Sequence, residues 1–172
     1  GIKSSRLKRS ETVFSVPCGA SARLKADYAA LAEECGLKKV RFVEVPFLAA
    51  LGADAVLSES NPVFCLDIGG GVTNVAVLSL DGIIAGLSMN IGGNNMDANV
   101  IARIEECKGL RIGALSAERV KNEIGSLAVG ARGTTVVEGS LSATLRPGSA
   151  AVQASEIEPC IRVYIDKILE YV

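Results

Sequence analysis

The segment from residue 64 to residue 80, FCLDIGGGVTNVAVLSL, constrains the fold of this chain more than any other stretch. An apolar run typical of a β-strand reaches one carboxylate, Asp67, and is soon followed by three glycines, Gly69, Gly70 and Gly71. A second run with alternating apolar residues leaves this turn, so the segment predicts two strands joined by a tight connection. Glycine backbone can bring its N–H groups close to an anion, and it tolerates the unusual φ values that such a turn can need.

The chemistry of this turn has two interpretations. A carboxylate beside a phosphate-binding turn is typical of a nucleoside triphosphate bound with Mg²⁺, with Asp67 facing the metal or its water ligands. The alternative is a plain β-hairpin whose turn contains flexible glycines and binds no ligand. The best-known phosphate motifs do not fit, because no Lys-Ser or Lys-Thr pair follows the glycines and no G-x-G-x-x-G opens a helix.

Composition excludes several classes of site. The 172 residues include no histidine, which rules out Ser-His and Cys-His nucleophiles and most zinc sites. A formal net charge of −1 argues against a general nucleic-acid-binding protein. Five scattered cysteines without a C-x-x-C pair are typical of a reduced, cytoplasmic protein, and no signal peptide or membrane-spanning run is visible. The first residue is Gly rather than Met, which suggests a fragment.

Basic residues cluster near the N-terminus. A solvated tail is the simpler interpretation of this run, and contact of residues 3–9 with an anionic membrane surface or a partner is the alternative. The basic residues are Lys3, Arg6, Lys8 and Arg9.

The pattern before residue 60 predicts a strand at 12–16, a helix at 21–35 closed by Gly36, a strand at 40–43 and a helix at 46–55. This β-α-β-α order is typical of a parallel sheet with covering helices. Residues 58–62 form the clearest linker.

The pattern after the linker predicts three contiguous antiparallel strands at 63–68, 72–79 and 83–91, because Leu80-Asp81-Gly82 is a hairpin signal. A helix of about 13 residues then follows Gly92 and Gly93. We expect Ser116 to cap a second helix, and the sequence Ser155-Glu-Ile-Glu158 to cap the last one. Short strands are expected at 135–138 and 141–145.

Six sequence blocks occur in a fixed order, and together they are specific although one alone would be weak. They are VPCG (16–19), VEVP (43–46), DIGGGVTNVA (67–76), GGNNMD (92–97), IG (112–113) with SAERVKNEIG (116–125), and RG (132–133) before a hairpin. In this order they resemble the bacterial MreB family of actin-like filament proteins. That family belongs to the superfamily of actins, heat-shock chaperone ATPases and sugar kinases, and the likeness runs from about residue 12 onward.

The resemblance implies an α/β fold of the RNase H-like actin type, with a mixed sheet and covering helices, duplicated in the full protein. Residues 1–60 would be the C-terminal part of the first half, and residues 61–172 most of the second half. ATP and Mg²⁺ would bind between the halves, and protomers would associate into filaments. Two family elements, a phosphate hairpin before residue 1 and an adenosine loop after residue 172, would be missing, so the nucleotide site is expected to be incomplete.

The resemblance also assigns ATP-binding roles at the glycine turn. Backbone N–H groups of Gly69–Gly71 and the hydroxyl of Thr73 would contact phosphate, and Asp67 would face the metal through water. Gly92 and Gly93 would let the backbone pass close to the nucleotide, with a plain helix-entry turn as the alternative.

A second assignment concerns the segment Glu118-Arg119-Val120-Lys121, where the family places an acid and a lysine against the nucleoside. Residues i and i+3 share a helix face, so Glu118 and Lys121 can reach one ligand together. An ordinary surface ion pair between them is the alternative.

Three positions depart from the family pattern. The catalytic glutamate before the proline is replaced by Val45, which cannot accept a proton, and Glu44 is expected to point elsewhere. Asn74 and Asn94 stand where the family usually has acids. No catalytic residue is therefore assigned, and at most weak ATP hydrolysis is expected. Simple variation among relatives at these positions is the alternative.

The favoured function is an ATP-dependent cytoskeletal filament protein that maintains cell shape. An active chaperone-type or sugar-kinase-type ATPase and a nucleotide-independent interaction module are the alternatives.

Overall fold

The structure, a computed structural model, describes residues 11–58, 61–80 and 82–172. Residues 3–9, for which a membrane contact is the alternative interpretation, lie outside these ranges. The chain packs as two compact units. Unit one contains the described residues up to Asp67 together with Val72–Met89, and unit two contains Ile68–Gly71 and Asn90–Val172. The division near residue 60 concerns the halves of a longer protein and stays a prediction.

Strands and helices alternate at the start of unit one. The parallel pairing of β1 with β2 confirms the predicted β-α-β-α order. In chain order the elements are β1 (Glu11–Val16), α1 (Ala22–Glu34), β2 (Lys39–Glu44), α2 (Val45–Gly52), β3 (Val63–Ile68), β4 (Thr73–Ser79) and β5 (Gly82–Met89).

Local signals in the sequence determine where α1 begins and ends. The Ser21 hydroxyl oxygen accepts a hydrogen bond from the Leu24 N–H at 3.2 Å, which satisfies one free donor of the first turn. Gly36 follows the helix with a φ of 77°, a left-handed value that favours glycine. Both ends agree with the prediction.

The next three strands, β3, β4 and β5, lie side by side in one sheet. β4 and β5 are antiparallel, and Gly82 pairs with Ser79. β3 also runs antiparallel to β4, because the short connection between them cannot make a parallel crossover. The predicted antiparallel arrangement is confirmed. Ala76 and Leu78 of β4 pack with Cys18 and Ala50 in the core of unit one.

Unit two packs three helices against a small antiparallel sheet with the strand order β6-β7-β8. Its core is formed by aliphatic side chains from all three helices and the sheet, among them Val100, Ile104, Val120, Val137 and Ile157. The elements are α3 (Gly93–Lys108), β6 (Leu110–Arg111), α4 (Ala114–Ile124), β7 (Thr134–Leu141), β8 (Pro147–Gln153) and α5 (Ala154–Leu169).

Two helix starts in unit two differ from the prediction. α4 begins at Ala114 with Gly113 as its N-cap, so Ser116 lies inside the first turn and the predicted cap is wrong. α5 begins at Ala154, and the carboxylate of Glu156 accepts the Gln153 N–H at 2.8 Å. The predicted cap at 155–158 is therefore also wrong. In α4, the Ala117 N–H donates to the Gly113 carbonyl at 3.1 Å, so helical bonding already begins before Ser116. In α5, the buried Ala154 is the first helical residue, so the helix begins before Ser155.

The last hairpin is shifted relative to the prediction. β7 continues to Leu141, and the N–H of Leu141 bonds to the Arg146 carbonyl at 2.8 Å. Residues 142–146 form the turn, with Leu145 in a left-handed conformation at a φ of 58°. The strand predicted at 141–145 is wrong because its alternating pattern belongs partly to a strand and partly to a turn.

Parallel and antiparallel pairing both occur, in three separate sheets among the described residues, and the α/β fold class is confirmed. In the part of the chain that the structure describes, no helix combines the length and apolar character needed to span a bilayer.

Candidate functional site

In unit two, the glycines of the turn lie against the N-terminus of α3. The Gly69 carbonyl oxygen accepts a hydrogen bond from the Gly93 N–H at 3.0 Å, and the Gly70 carbonyl oxygen accepts one from the Asn94 N–H at 2.7 Å. These bonds use N–H groups that a helix start leaves free and hold the turn in place. Gly70 and Gly71 are exposed, and their N–H groups donate to no other backbone group among the described residues. They are therefore available to an anion.

Glycine is required beside this turn because a side chain would overlap with other backbone atoms, and not because of the φ angle. A Cβ at Gly92 would lie 2.5 Å from the Gly69 oxygen and 2.6 Å from the Gly70 oxygen. A Cβ at Gly70 would meet only the Asn94 side chain, at 3.2 Å, and one at Gly71 would meet nothing within 4 Å. None of the turn glycines has a left-handed φ, so the expectation of unusual φ values is wrong. Glycine is needed for the close approach of two backbone segments.

Lys121 of α4 also reaches the start of α3. Its Nζ lies 2.8 Å from Asp97 Oδ1 and donates to the Gly93 carbonyl oxygen at 3.3 Å. Glu118, one turn away on α4, is exposed and forms no ion pair among the described residues. The ordinary surface ion pair between Glu118 and Lys121 is thus not formed. We call Gly69–Gly71 with Gly92, Gly93, Asp97 and Lys121 the turn cluster.

The residues between Glu118 and Lys121 point elsewhere. The Arg119 guanidinium donates to both carboxylate oxygens of Glu123 and, at 3.0 Å, to the Val136 carbonyl of β7. The side chain of Val120 is fully buried in the core. Their predicted contact with ATP is untested, but these contacts tie both side chains to the packing of α4.

Asp67, in unit one, belongs to a second cluster. The Asn74 side chain, which is 3% exposed, donates from Nδ2 to Asp67 Oδ2 at 3.0 Å. Asn74 Oδ1 accepts the Cys18 N–H at 3.0 Å, and the Ser88 hydroxyl donates to the Cys18 carbonyl at 3.1 Å. Asn74 therefore connects Asp67 to the loop after β1. An amide can make both bonds because it carries a donor and an acceptor.

Glu44 extends this second cluster. Burial raises the pKa of the Cys18 thiol, and the charge and hydrogen bonding of the adjacent Glu44 carboxylate raise that pKa further. Val45, the next residue, is half-buried at the start of α2 and lies outside the buried core. We call Cys18, Glu44, Asp67, Asn74 and Ser88 the carboxylate cluster.

A metal ion in a protein needs several oxygen, nitrogen or sulfur ligands. Among the described residues, no group of three or more His, Cys, Asp or Glu side chains could hold an ion. Asn74 donates to Asp67 Oδ2, and Asp67 Oδ1 accepts no hydrogen bond among the described residues. One free carboxylate oxygen fits Mg²⁺, which keeps several waters and binds through one or two carboxylates and substrate phosphates.

Thr73 is fully buried at the start of β4, so its hydroxyl is not exposed to solvent in this chain. Its predicted contact with phosphate stays a prediction.

Replacing Asn74 with aspartate is expected to lower the free energy of unfolding by about 1–3 kcal/mol at pH 7. The variant loses the donor to Asp67 and places two carboxylates at hydrogen-bond distance, where their like charges repel each other. Urea unfolding at pH 7, relative to wild type, measures the loss.

The matched control is Asn122→Asp, the same change at an exposed position of α4. Equal stability of the two variants at pH 7 would show that Asn74 does not bridge Asp67 as described.

Sequence reasoning missed the partners in both clusters. Cys18 and Asn74 are 56 positions apart, and Lys121 and Gly93 are 28 apart. No local spacing or periodicity connects residues at such separations. The sequence offered one weak indication of these contacts, at Asp97. A carboxylate among the core-facing residues of α3 needs a partner elsewhere in the fold.

The similarity to known proteins covers the whole chain. The family model described as MreB/Mbl protein matches residues 1–172. The cell shape-determining protein MreB of Escherichia coli (strain K12) is 40% identical over 111 residues, which are 64% of this chain and 32% of that protein. The chain therefore spans about a third of the length of this curated relative.

Solved structures show the same likeness. MreB 5 of Spiroplasma citri bound to AMPPNP has a TM-score of 0.85 at 26% identity, covering 94% of this chain and 49% of that one. A MamK double helical filament has a TM-score of 0.73 at 22% identity, covering 92% of this chain and 47% of that one, which shows a likeness of fold alone.

Proposed function

Since the chain belongs to the MreB/Mbl family, we propose that it is part of an actin-like, cell-shape-determining protein that binds ATP and assembles into filaments. The fold is that of the MreB and MamK structures. The relative from Escherichia coli carries the cell-shape function in its name, and the MamK structure is a filament. The proposal includes a cytoplasmic location and association mainly with further copies of the same protein.

One observation carries the nucleotide part of the proposal. In the turn cluster, two exposed glycine N–H groups and the Lys121 ammonium lie together in one small part of unit two. The N–H groups can bind an anion, and the ammonium offers a donor to a neighbouring polar group. The Spiroplasma citri relative is bound to AMPPNP, an ATP analogue.

The proposed ATP-binding residues are those that the sequence resemblance assigns. In unit two they are Gly69–Gly71, Gly92 and Gly93 near phosphate, and Glu118 and Lys121 near the nucleoside. In unit one they are Thr73 near phosphate and Asp67, which would hold Mg²⁺ through water. Arg119 and Val120 belong to the same proposed ATP-binding segment of α4, and their side chains, which are engaged with β7 and the core, hold that helix in place.

Weak hydrolysis is part of the proposal. Val45 cannot act as a general base, and Glu44 interacts with the Cys18 thiol. When bound, Mg²⁺ would neutralise phosphate charge; the residues of this chain would position the nucleotide without a side chain that activates water.

The full-length protein is expected to sediment as polymer with ATP and Mg²⁺ and to remain in the supernatant without nucleotide, because the proposed filament assembles from nucleotide-bound protomers. Ultracentrifugation with ATP, ADP or no nucleotide measures the polymer, electron microscopy shows its form, and phosphate release is followed in the same samples.

Each alternative predicts a different result. Polymer formed equally without nucleotide would favour a nucleotide-independent interaction module. Rapid phosphate release without polymer would favour an ATPase of the chaperone or sugar-kinase type, and either result would contradict the proposed function. A contact of residues 3–9 with anionic lipid stays a prediction.

A further inference from the structure

Asp97 is the buried charged residue of unit two that the proposed function does not yet use. It is 8% exposed and lies on α3, one turn after Gly93. Its Oδ1 lies 2.8 Å from Lys121 Nζ, with side-chain exposures of 11% for Asp97 and 17% for Lys121. The contact is one of charge with charge, because Oδ1 has no aligned hydrogen bond in the described part of the chain.

The position of the Lys121 ammonium therefore depends on Asp97. A lysine side chain is long and flexible, and Glu118 offers an exposed carboxylate one turn away on the same helix. Lys121 nevertheless reaches across to α3, where it also donates to the Gly93 carbonyl. A buried carboxylate without a partner is costly, so Asp97 strongly favours this arrangement.

The ion pair also affects what Lys121 can bind. Asp97 balances the charge of the ammonium, so Lys121 adds little net positive charge toward a phosphate. An ammonium carries three N–H donors, and Gly93 takes one of them. A remaining donor suits an uncharged acceptor, such as a ribose hydroxyl or a ring nitrogen of the base.

We propose that Asp97 is a positioning residue that holds Lys121 at the start of α3 and directs it to the nucleoside part of the ligand. This inference rests on the proposed nucleotide function. It assigns to Asp97 a role that acts through Lys121 and not through direct contact with the ligand.

The first test measures the position of Lys121 without any nucleotide. In Asp97→Asn, we expect Lys121 to react several-fold faster with an amine-acylating reagent, because the ammonium is released toward Glu118 and solvent. Mass spectrometry of proteolytic peptides gives the rate for each lysine, and Lys108, paired with Glu156 at the other end of α3, is the internal control. An unchanged Lys121 rate would overturn the proposal.

The second test measures ADP and pyrophosphate binding to the full-length protein by calorimetry. Asp97→Asn and Lys121→Met are each expected to weaken ADP binding about tenfold, or about 1.4 kcal/mol. The double variant is expected to bind ADP no more weakly than Lys121→Met, because Asp97 acts through Lys121. Pyrophosphate binding is expected to stay unchanged in all three. Lys108→Met, which breaks an ion pair elsewhere on α3, should leave both affinities unchanged.

The outcomes separate this inference from the function on which it rests. If wild type binds ADP but Asp97→Asn weakens binding equally in the Lys121→Met background, Asp97 does not act through Lys121. Equal loss of pyrophosphate binding would also overturn the proposal. If wild type binds no nucleotide, the proposed function itself fails, whatever the labelling rates show.

The variant Asp97→Glu keeps the negative charge, so we expect its Lys121 to be acylated at a rate near that of wild type. A rate as fast as in Asp97→Asn would overturn the proposal even if the Asn variant folds poorly.

Discussion

Replacing Val45 with glutamate in the full-length protein is expected to speed ATP hydrolysis and recover part of the roughly 10²–10⁴-fold that a missing general base costs. Val45 is the half-buried first residue of α2 and lies outside the buried core of unit one, so a carboxylate there can keep contact with water. A negative charge in the first turn of a helix is also favourable. Single-turnover hydrolysis, with ATP binding measured separately, gives the effect on the chemical step.

Val45→Gln is the matched control for this experiment. Glutamine has the size of glutamate but cannot accept the proton of the attacking water, so its rate should stay at the wild-type level. Equal rates for the Glu and Gln variants would contradict a base at this position. Rapid hydrolysis by wild type would show that another residue activates the water, and would remove the weak-ATPase proposal.

Gly70→Val is expected to weaken ATP binding by at least about 100-fold, close to 2.7 kcal/mol, with little loss of stability. A Cβ at residue 70 meets only the exposed Asn94 side chain, at 3.2 Å, and that side chain can move. The branched side chain would nevertheless occupy the space in front of the turn, where the exposed N–H groups would meet phosphate. Calorimetry measures the affinity, and urea unfolding measures the stability.

Two further glycines serve as controls for that result. Gly71→Ala introduces a methyl group into open space, so folding and binding should both survive. Gly92→Val should lower the stability as well as the affinity, because its Cβ would lie 2.5 Å from a backbone oxygen. Unchanged ATP binding by Gly70→Val would mean that the turn is only structural.

The helices and strands whose ends depend on residues close by in the sequence could be predicted. α1 follows from Ser21 and Gly36, and the β4–β5 hairpin follows from the Asp-Gly signal at 81–82. Predictions failed where a helix began before its polar signal, as at Ser116, or where one alternating run covered both a strand and a turn, as at 141–145.

The candidate site was predicted only in part, because some of its contacts join residues that are far apart in the sequence. The turn at 67–73 and the Glu118–Lys121 spacing are visible within a few residues, and the resemblance supplied their roles. Asn74 was predicted to stand in place of an acid, and the structure adds that its buried amide bonds to Asp67 and to the Cys18 backbone. That role depends on a residue 56 positions away.

The amino-acid sequence by itself determined the α/β class, the antiparallel strands around the triple glycine and the absence of histidine chemistry, because periodicity, turn residues and composition act locally. Only the tertiary structure decided that Lys121 pairs with Asp97 rather than with Glu118, and that Gly92 must be glycine to clear the Gly69 and Gly70 carbonyls. Both results depend on which distant backbone segments come into contact when the core packs, and no spacing within a helix or a strand records that contact.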